Sequence, residues 1–330
     1  MAAPAASSRR ELSGILSVDT PSLYGAVLLD GTVSPNQDST GPSVRLIAAP
    51  PSLFEQVARR MGAWDVTSSW FRYGALGDGR AYLHWDRLCD FLVSPDGRVI
   101  EYNLMRRDAQ ESFENYLFTH AMSFALLKQG VESLHATTIF VDGHGIAFLG
   151  DSGVGKSTLA AGFLQAGARL VTDDLLVFFT PDGVPSPRSS FYACPGPARV
   201  KLFPHTAQAL LGLPPAAPPM HPDTSKIVLR LTSEQHCIDP VPVSVLYVIE
   251  PPLSLGGEDV TIEPLGRADA FLAVLRNTFN AMVTDTVRLT GQFRFASSLA
   301  RSLPVRRLRY PRTLSRLPSV VSAVRTNLRC

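Results

Sequence analysis

The chain has 330 residues, 45% of them hydrophobic, with 31 basic against 29 acidic side chains and a formal net charge of +2. That apolar content over that length builds one large core or two modest ones and excludes a disordered chain. Near-neutrality removes any bulk electrostatic case for nucleic-acid or membrane partners.

Residues 1–14, MAAPAASSRRELSG, are small and polar and lack the apolar stretch of a secretory signal, so a flexible tail is expected. No run of about 18 uncharged apolar residues follows, and a soluble, cytoplasmic protein is the expectation. The four cysteines, Cys89, Cys194, Cys237 and Cys330, are too far apart in sequence to form a metal-ligand pair and fit a reducing compartment.

Residues 15–130 read as an accessory α+β region. In DFLVSPDGRVIEYNL the PDG turn separates two alternating apolar runs, a hairpin signal. ESFENYLFTHAMSFALLKQG follows, with Phe113, Leu117, Ala121, Phe124 and Leu127 at helical spacing and Gly130 as the expected C-cap. No internal repeat suggests a solenoid.

From residue 131 the pattern changes. LHATTIFVDGHGIAFLG reads as two strands joined by the turn DGHG, with His144 expected to be exposed. The second strand delivers GDSGVGKS, which fits G-x-x-x-x-G-K-[ST] at Gly150, Asp151, Ser152, Gly153, Val154, Gly155, Lys156 and Ser157, with Thr158 opening a helical segment. In that context the glycines let backbone amides converge on phosphate oxygens at a helix N-terminus, with Lys156 reaching the outer phosphates and Ser157 holding magnesium. The competing reading is an ordinary glycine turn before a helix.

That helix, TLAAGFLQAG, ends at Gly167, and ARLVTDDLLVFF reads as a buried strand parallel to the first, its acids beside the loop. Of Asp173 and Asp174, one can bind magnesium and one can accept the proton of an attacking hydroxyl; the alternative is that both end a strand in solvent. Residues 181–225 are rich in proline and serine, and irregular structure is expected there, either a lid over the site or an unconstrained insertion. KIVLRL and VSVLYVIEP read as strands and ADAFLAVLRNTFNAMV as a helix. From Thr286 to Cys330 there are ten arginines and no acid. Two readings stand: a surface for an acidic peptide or phosphate, or a segment packed through Leu308, Leu314, Leu317 and Val320 with its arginines paired elsewhere. No nucleic-acid-binding motif accompanies them.

The run Leu134-His135, hairpin, GDSGVGKS, helix and Asp173-Asp174 resembles the bacterial HPr kinase/phosphorylase family. The resemblance implies an α/β P-loop fold of the HPr kinase and phosphoenolpyruvate carboxykinase type spanning 131–330, with the accessory α+β region before it. It implies ATP and Mg2+ as cofactors, Asp173 as the base that activates an acceptor serine hydroxyl, and Asp174 and His135 as supporting groups. Asp174 and Ser157 are the expected metal ligands. It implies a protein or peptide acceptor, such as a lasso-peptide precursor from a biosynthetic cluster, and a homo-oligomer, since HPr kinases are hexamers. The chain departs from the family after residue 180: where the family carries a magnesium-binding glutamate, FYACPGPARVKLF has no acid. There Arg199 and Lys201 either face phosphate or substrate, or lie exposed on a strand. Other classes in view are a small-molecule kinase, a nucleotide-dependent switch ATPase and a degenerate nucleotide-binding module. No transporter-ATPase signature or guanine-recognition motif favours the switch.

Overall fold

The computed structural model describes residues 22–30, 42–68, 70–181, 190–212, 217, 219–251 and 259–329. The expected tail, Cys330 and parts of 181–225 lie outside the described residues. The chain divides into two compact units, 1–131 and 132–330.

In the first unit β1 (Ser22–Leu23), β2 (Ala26–Asp30), β3 (Ser43–Ala48), β4 (Val66–Thr67), β5 (Phe71–Ala75), β6 (Ala81–Trp85), β7 (Cys89–Val93) and β8 (Val99–Leu104) form one sheet in the order β1-β2-β3-β8-β7-β6-β5-β4. The β7–β8 pair is the hairpin expected from the PDG turn, with Val93 opposite Ile100. Helix α1 (Pro51–Met61) follows β3. The expected helix forms as α2 (Gln110–Tyr116), a π segment over Leu117–Ala121 and α3 (Met122–Lys128). Gly130 adopts φ 80 just past its end. The helix packs through rings, Tyr116 stacking on Trp85 at 4.2 Å and Phe124 meeting Tyr73 at 4.9 Å.

The second unit opens with the hairpin β9 (Ser133–Val141) and β10 (His144–Leu149), whose turn residues Asp142 and Gly143 both take positive φ, 51 and 86. Asp-Gly at a two-residue turn is the pairing that tolerates this geometry. Next come α4 (Lys156–Gln165), β11 (Arg169–Thr172), β12 (Leu175–Phe179), β13 (Tyr192–Ala193), β14 (Arg199–Leu202), α5 (Pro204–Leu211) and β15 (Ile227–Arg230). The chain closes with β16 (Val241–Glu250), β17 (Thr261–Pro264), α6 (Arg267–Arg276), α7 (Thr286–Ser302), β18 (Val305–Arg309) and α8 (Leu317–Leu328). The main sheet runs β10-β9-β12-β13-β16-β18-β17, and β10 also pairs in parallel with β16, so its pairing path returns on itself.

The alternation along β10 separates two cores. Ile146 and Phe148 pack with Leu159 and Phe163 of α4 and with Leu317 and Val320 of α8. Ala147 and Leu149 face Val274 of α6 and Phe295 and Leu299 of α7. Helices on both faces of a sheet make a mixed α/β unit.

Three expectations change. The run 168–179 is not one strand: β11 and β12 both pair antiparallel with β9, and the chain breaks between them at Asp173 and Asp174, the latter at φ 72. Directionally β11 still runs with β10, because β9 lies between them antiparallel to each. The Pro-rich segment is not irregular throughout, since β13, β14 and α5 form within it; Pro204 stands in the first turn of α5, where its missing N–H costs nothing. Helix α6 stops at Arg276 because Asn277 donates from Nδ2 to the Ala273 carbonyl at 2.8 Å and ends the helix.

Candidate functional site

The loop between β10 and α4 is built by glycines where other residues would strain. Gly150, Gly153 and Gly155 have φ 140, 82 and 105. A Cβ on Gly150 would meet Val154 Cγ1 at 3.0 Å and the Ile249 carbonyl at 3.1 Å. Asp151, Ser152 and Gly153 are exposed at the mouth of the loop, Val154 is buried beneath it, and Thr158 lies partly buried in the first turn of α4. An open cavity of about 580 Å³ adjoins Gly150 to Val154 and is walled by Glu250, Arg276, Asn277, Arg307 and Arg312.

Lys156 is buried and folds back on the loop, donating from Nζ to the carbonyls of Gly150 at 2.6 Å and Asp151 at 3.1 Å. Burial lowers the pKa of its ammonium group. These two carbonyls fix the ammonium group against the glycine loop.

The break between β11 and β12 aims two successive carboxylates in different directions. Asp173, buried, accepts from Thr137 Oγ1 at 2.7 Å, from Ser157 Oγ at 2.9 Å and from the Lys201 amide at 3.1 Å. Its pKa is raised by burial and by the charge of Asp174. Asp174 instead pairs with the Lys201 ammonium, while its backbone carbonyl accepts from the Ala136 amide at 3.1 Å. Burial opposes ionisation of Asp174, but the Lys201 ammonium overrides it and holds the carboxyl well below the ordinary range. His135, opposite Leu175 in the β9–β12 ladder, is kept neutral by burial, its pKa lowered to about 4.

Sequence reasoning therefore brings Lys156, Ser157, Asp173, Asp174 and His135 to one place. It misses three groups that complete it. Thr137 comes from the middle of β9 with no local signal beyond a hydroxyl in an apolar strand. Asn277 accepts the Gly150 amide at 2.8 Å through Oδ1, and its own carbonyl accepts the His135 amide at 2.7 Å, so one residue past α6 ties β9 to the loop. Lys201, left open between exposure and a substrate-facing role, is buried, as is Arg199; the strand ARVKLF places a lone lysine among apolar neighbours, which is the signal that could have found it. His144 is also not simply exposed: it is partly buried, its Nδ1 2.9 Å from Ser244 Oγ.

The donors suit magnesium in part. A magnesium ion keeps several waters and takes one or two protein oxygens beside the phosphates. Ser157 beside Asp173 supplies such oxygens, whereas the Asp174 carboxylate is committed to Lys201. Among the described residues no group of three or more His, Cys, Asp or Glu side chains is placed to hold a metal ion. Among the described residues no helix is long and apolar enough to cross a membrane.

The basic C-terminal region divides between the two readings, since part of it packs and pairs internally while Arg312 lines the cavity beside the glycine loop. Leu308, Leu317 and Val320 are buried, and Arg288, Arg307, Arg309 and Arg325 reach Glu132, Glu250, Glu263 and Asp142.

No protein-family model matches the chain. Two curated proteins resemble parts of it. The HPr kinase/phosphorylase of Lactobacillus acidophilus is 32% identical over 79 residues, 24% of each chain. That of Lachnoclostridium phytofermentans is 48% identical over 44 residues, 13% of this chain and 14% of that protein. The chain thus spans a quarter or less of the length of these relatives. The HPr(Ser) kinase/phosphatase of Coxiella burnetii aligns over 59% of this chain and 89% of that one, at 13% identity and a TM-score of 0.33, too loose a superposition to establish a shared fold. By its sequence resemblance the chain is a divergent, HPr kinase-like relative of the HPr kinase/phosphorylases.

Proposed function

We propose that this chain is an ATP-dependent kinase, HPr kinase-like in its machinery, that moves the terminal phosphoryl group of ATP to a serine-type hydroxyl on a protein or peptide. On this reading residues 132–330 form the catalytic unit, a P-loop fold of the HPr kinase and phosphoenolpyruvate carboxykinase type. The observation that carries it is the hydrogen bond between Ser157, at the head of the helix behind the glycine loop, and the buried Asp173.

The loop amides and the start of α4 bind the phosphates, and Lys156 exchanges its two carbonyl partners for phosphate oxygens. Ser157 would hold the magnesium ion, which when bound offsets charge on the phosphates. Once Ser157 turns to that ion, Asp173 keeps Thr137 and the Lys201 amide and has a lone pair open to the acceptor. The acceptor oxygen bonds to the terminal phosphorus as the bond to ADP breaks, and its proton passes to Asp173. A raised pKa makes Asp173 a better proton acceptor than an ordinary aspartate, and transfer is lost as pH falls through that raised value. Asp174 and neutral His135 position the base and do not touch the reacting atoms.

The test is label transfer from γ-labelled ATP with magnesium to HPr, to serine-containing peptides and to small hydroxyl compounds, with wild type and Asp173→Asn. The expected result is label on protein or peptide, reduced by about 10²–10⁴ in the variant, with ATP binding retained. Equal transfer by Asp173→Asn removes the assigned base. Label on small compounds alone makes the protein a small-molecule kinase, and free phosphate alone makes it a switch ATPase.

A further inference from the structure

Two adjacent carboxylates withdrawn from water repel each other, and either a proton on one of them or a cation beside them relieves the repulsion. Here a lysine is that cation. Lys201 sits on β14, buried, with Val228 of β15 opposite it. Its backbone amide donates to Asp173 Oδ2 at 3.1 Å and its ammonium pairs with Asp174 Oδ2, so a single residue holds both acids. The lysine side chain is only 6% exposed and that of Asp174 24%, so the pair lies mostly out of water. Breaking such a pair by removing one partner leaves an uncompensated buried charge.

Around the same carboxylates the remaining donors are already assigned. Thr137 and Ser157 both meet Asp173, and neither meets Asp174. Lys156, another cation near them, is held by the loop carbonyls. The segment that contributes Lys201, FYACPGPARVKLF, contains no acid that would offer a further metal ligand.

We propose that Lys201 is the built-in second cation of this site: it neutralises Asp174, keeps a second metal ion out of the paired aspartates, and leaves a site that takes one metal ion with its nucleotide. The inference rests on the kinase reading, because it concerns how that site is charged when ATP is bound. A lysine at this position gives a fixed single charge where a metal would give an exchangeable double one. The site then answers to one metal concentration, that of the ion delivered with the nucleotide.

The experiment counts metal ions. Manganese, visible by electron paramagnetic resonance, is titrated into full-length protein saturated with a non-hydrolysable ATP analogue, and free manganese is measured to give the number bound per nucleotide. One manganese per nucleotide in wild type and in Lys201→Arg, rising to two in Lys201→Glu and Lys201→Met, is the expected result. Two in wild type overturns the inference, and so does one in all four proteins. Should Lys201→Glu and Lys201→Met fail to fold by circular dichroism, the wild-type and Lys201→Arg counts still decide between one and two. A wild-type protein that binds no nucleotide at all overturns the kinase reading and the inference with it, an outcome distinct from nucleotide bound with two metals.

Discussion

At φ 72 Asp174 adopts a left-handed conformation that aspartate tolerates better than most residues, and this single backbone turn separates the jobs of two neighbouring acids. The sequence predicts both acids beside the loop but treats them as part of one buried strand, because an apolar run carries no mark of a left-handed residue inside it. His135 shows the reverse. Its place in the site is implied only by resemblance, and its chemistry emerges from burial. The imidazole has an ordinary pKa of 6.5, lowered to about 4 in the folded chain. Above 6.5 neither folded nor unfolded chain binds the proton, and His135 costs nothing. Between about 6.5 and about 4 the unfolded chain is protonated while the folded chain is not, so stability falls as pH falls through that window. Glu132 works in the opposite sense: burial raises it to about 7 against the opposing charge of Arg288, so its contribution is present at acid pH and is lost as pH rises through that value. His135→Asn is expected to flatten the decline in thermal midpoint on acidification between about pH 6.5 and about pH 4. An unchanged slope in a calorimetric pH series would show that His135 is not the group responsible.

Strands supply most of the side chains at the site, and one residue past a helix end ties them to the loop. Helix α6 ends at Asn277, whose Oδ1 accepts from Gly150 and whose carbonyl accepts from His135, so the end of a helix on one face of the sheet sets the first residue of the loop. Asn277→Ala leaves the Gly150 amide without its partner, at a cost of about 1–3 kcal/mol. At roughly 2–4 °C per kcal/mol, its thermal midpoint should drop by several degrees, and ATP affinity should weaken with it. A variant with the wild-type midpoint and affinity would mean that the loop holds its shape unaided. The hairpin β9–β10, the loop and α4 are legible in sequence because each is contiguous and each carries its own punctuation: Asp142-Gly143, Gly150 to Ser157, Gly167. The strand β14 and helix α5 were hidden within proline-rich sequence, whose composition argues for loops even where Pro204 opens a helix.

At the scale of the molecule the chain is two units, the second an α/β sheet with helices on both faces and the loop at the end of one of its strands. Part of its arginine-rich end is spent on internal acids: Arg307 and Arg309 both reach Glu250 and Glu263, Arg288 reaches Glu132 and Arg325 reaches Asp142, while Arg312 lines the cavity beside the glycine loop. Sequence alone left that region between a binding surface and packing, because paired acids more than 40 residues away are invisible to a local reading. Separations of 36 and 28 residues likewise concealed Thr137 and Lys201, which come to Asp173 from β9 and β14. What the sequence does carry is the glycine loop Gly150 to Ser157, and the whole proposed function depends on that loop binding phosphate. The most direct measurement is equilibrium binding of ATP, ADP and AMP to wild type and Lys156→Ala by calorimetry. The account predicts that wild type binds ATP and ADP much more tightly than AMP, and that Lys156→Ala weakens ATP by at least tenfold, about 1.4 kcal/mol. Equal affinities for the three nucleotides, or ATP binding unchanged by Lys156→Ala, would contradict it.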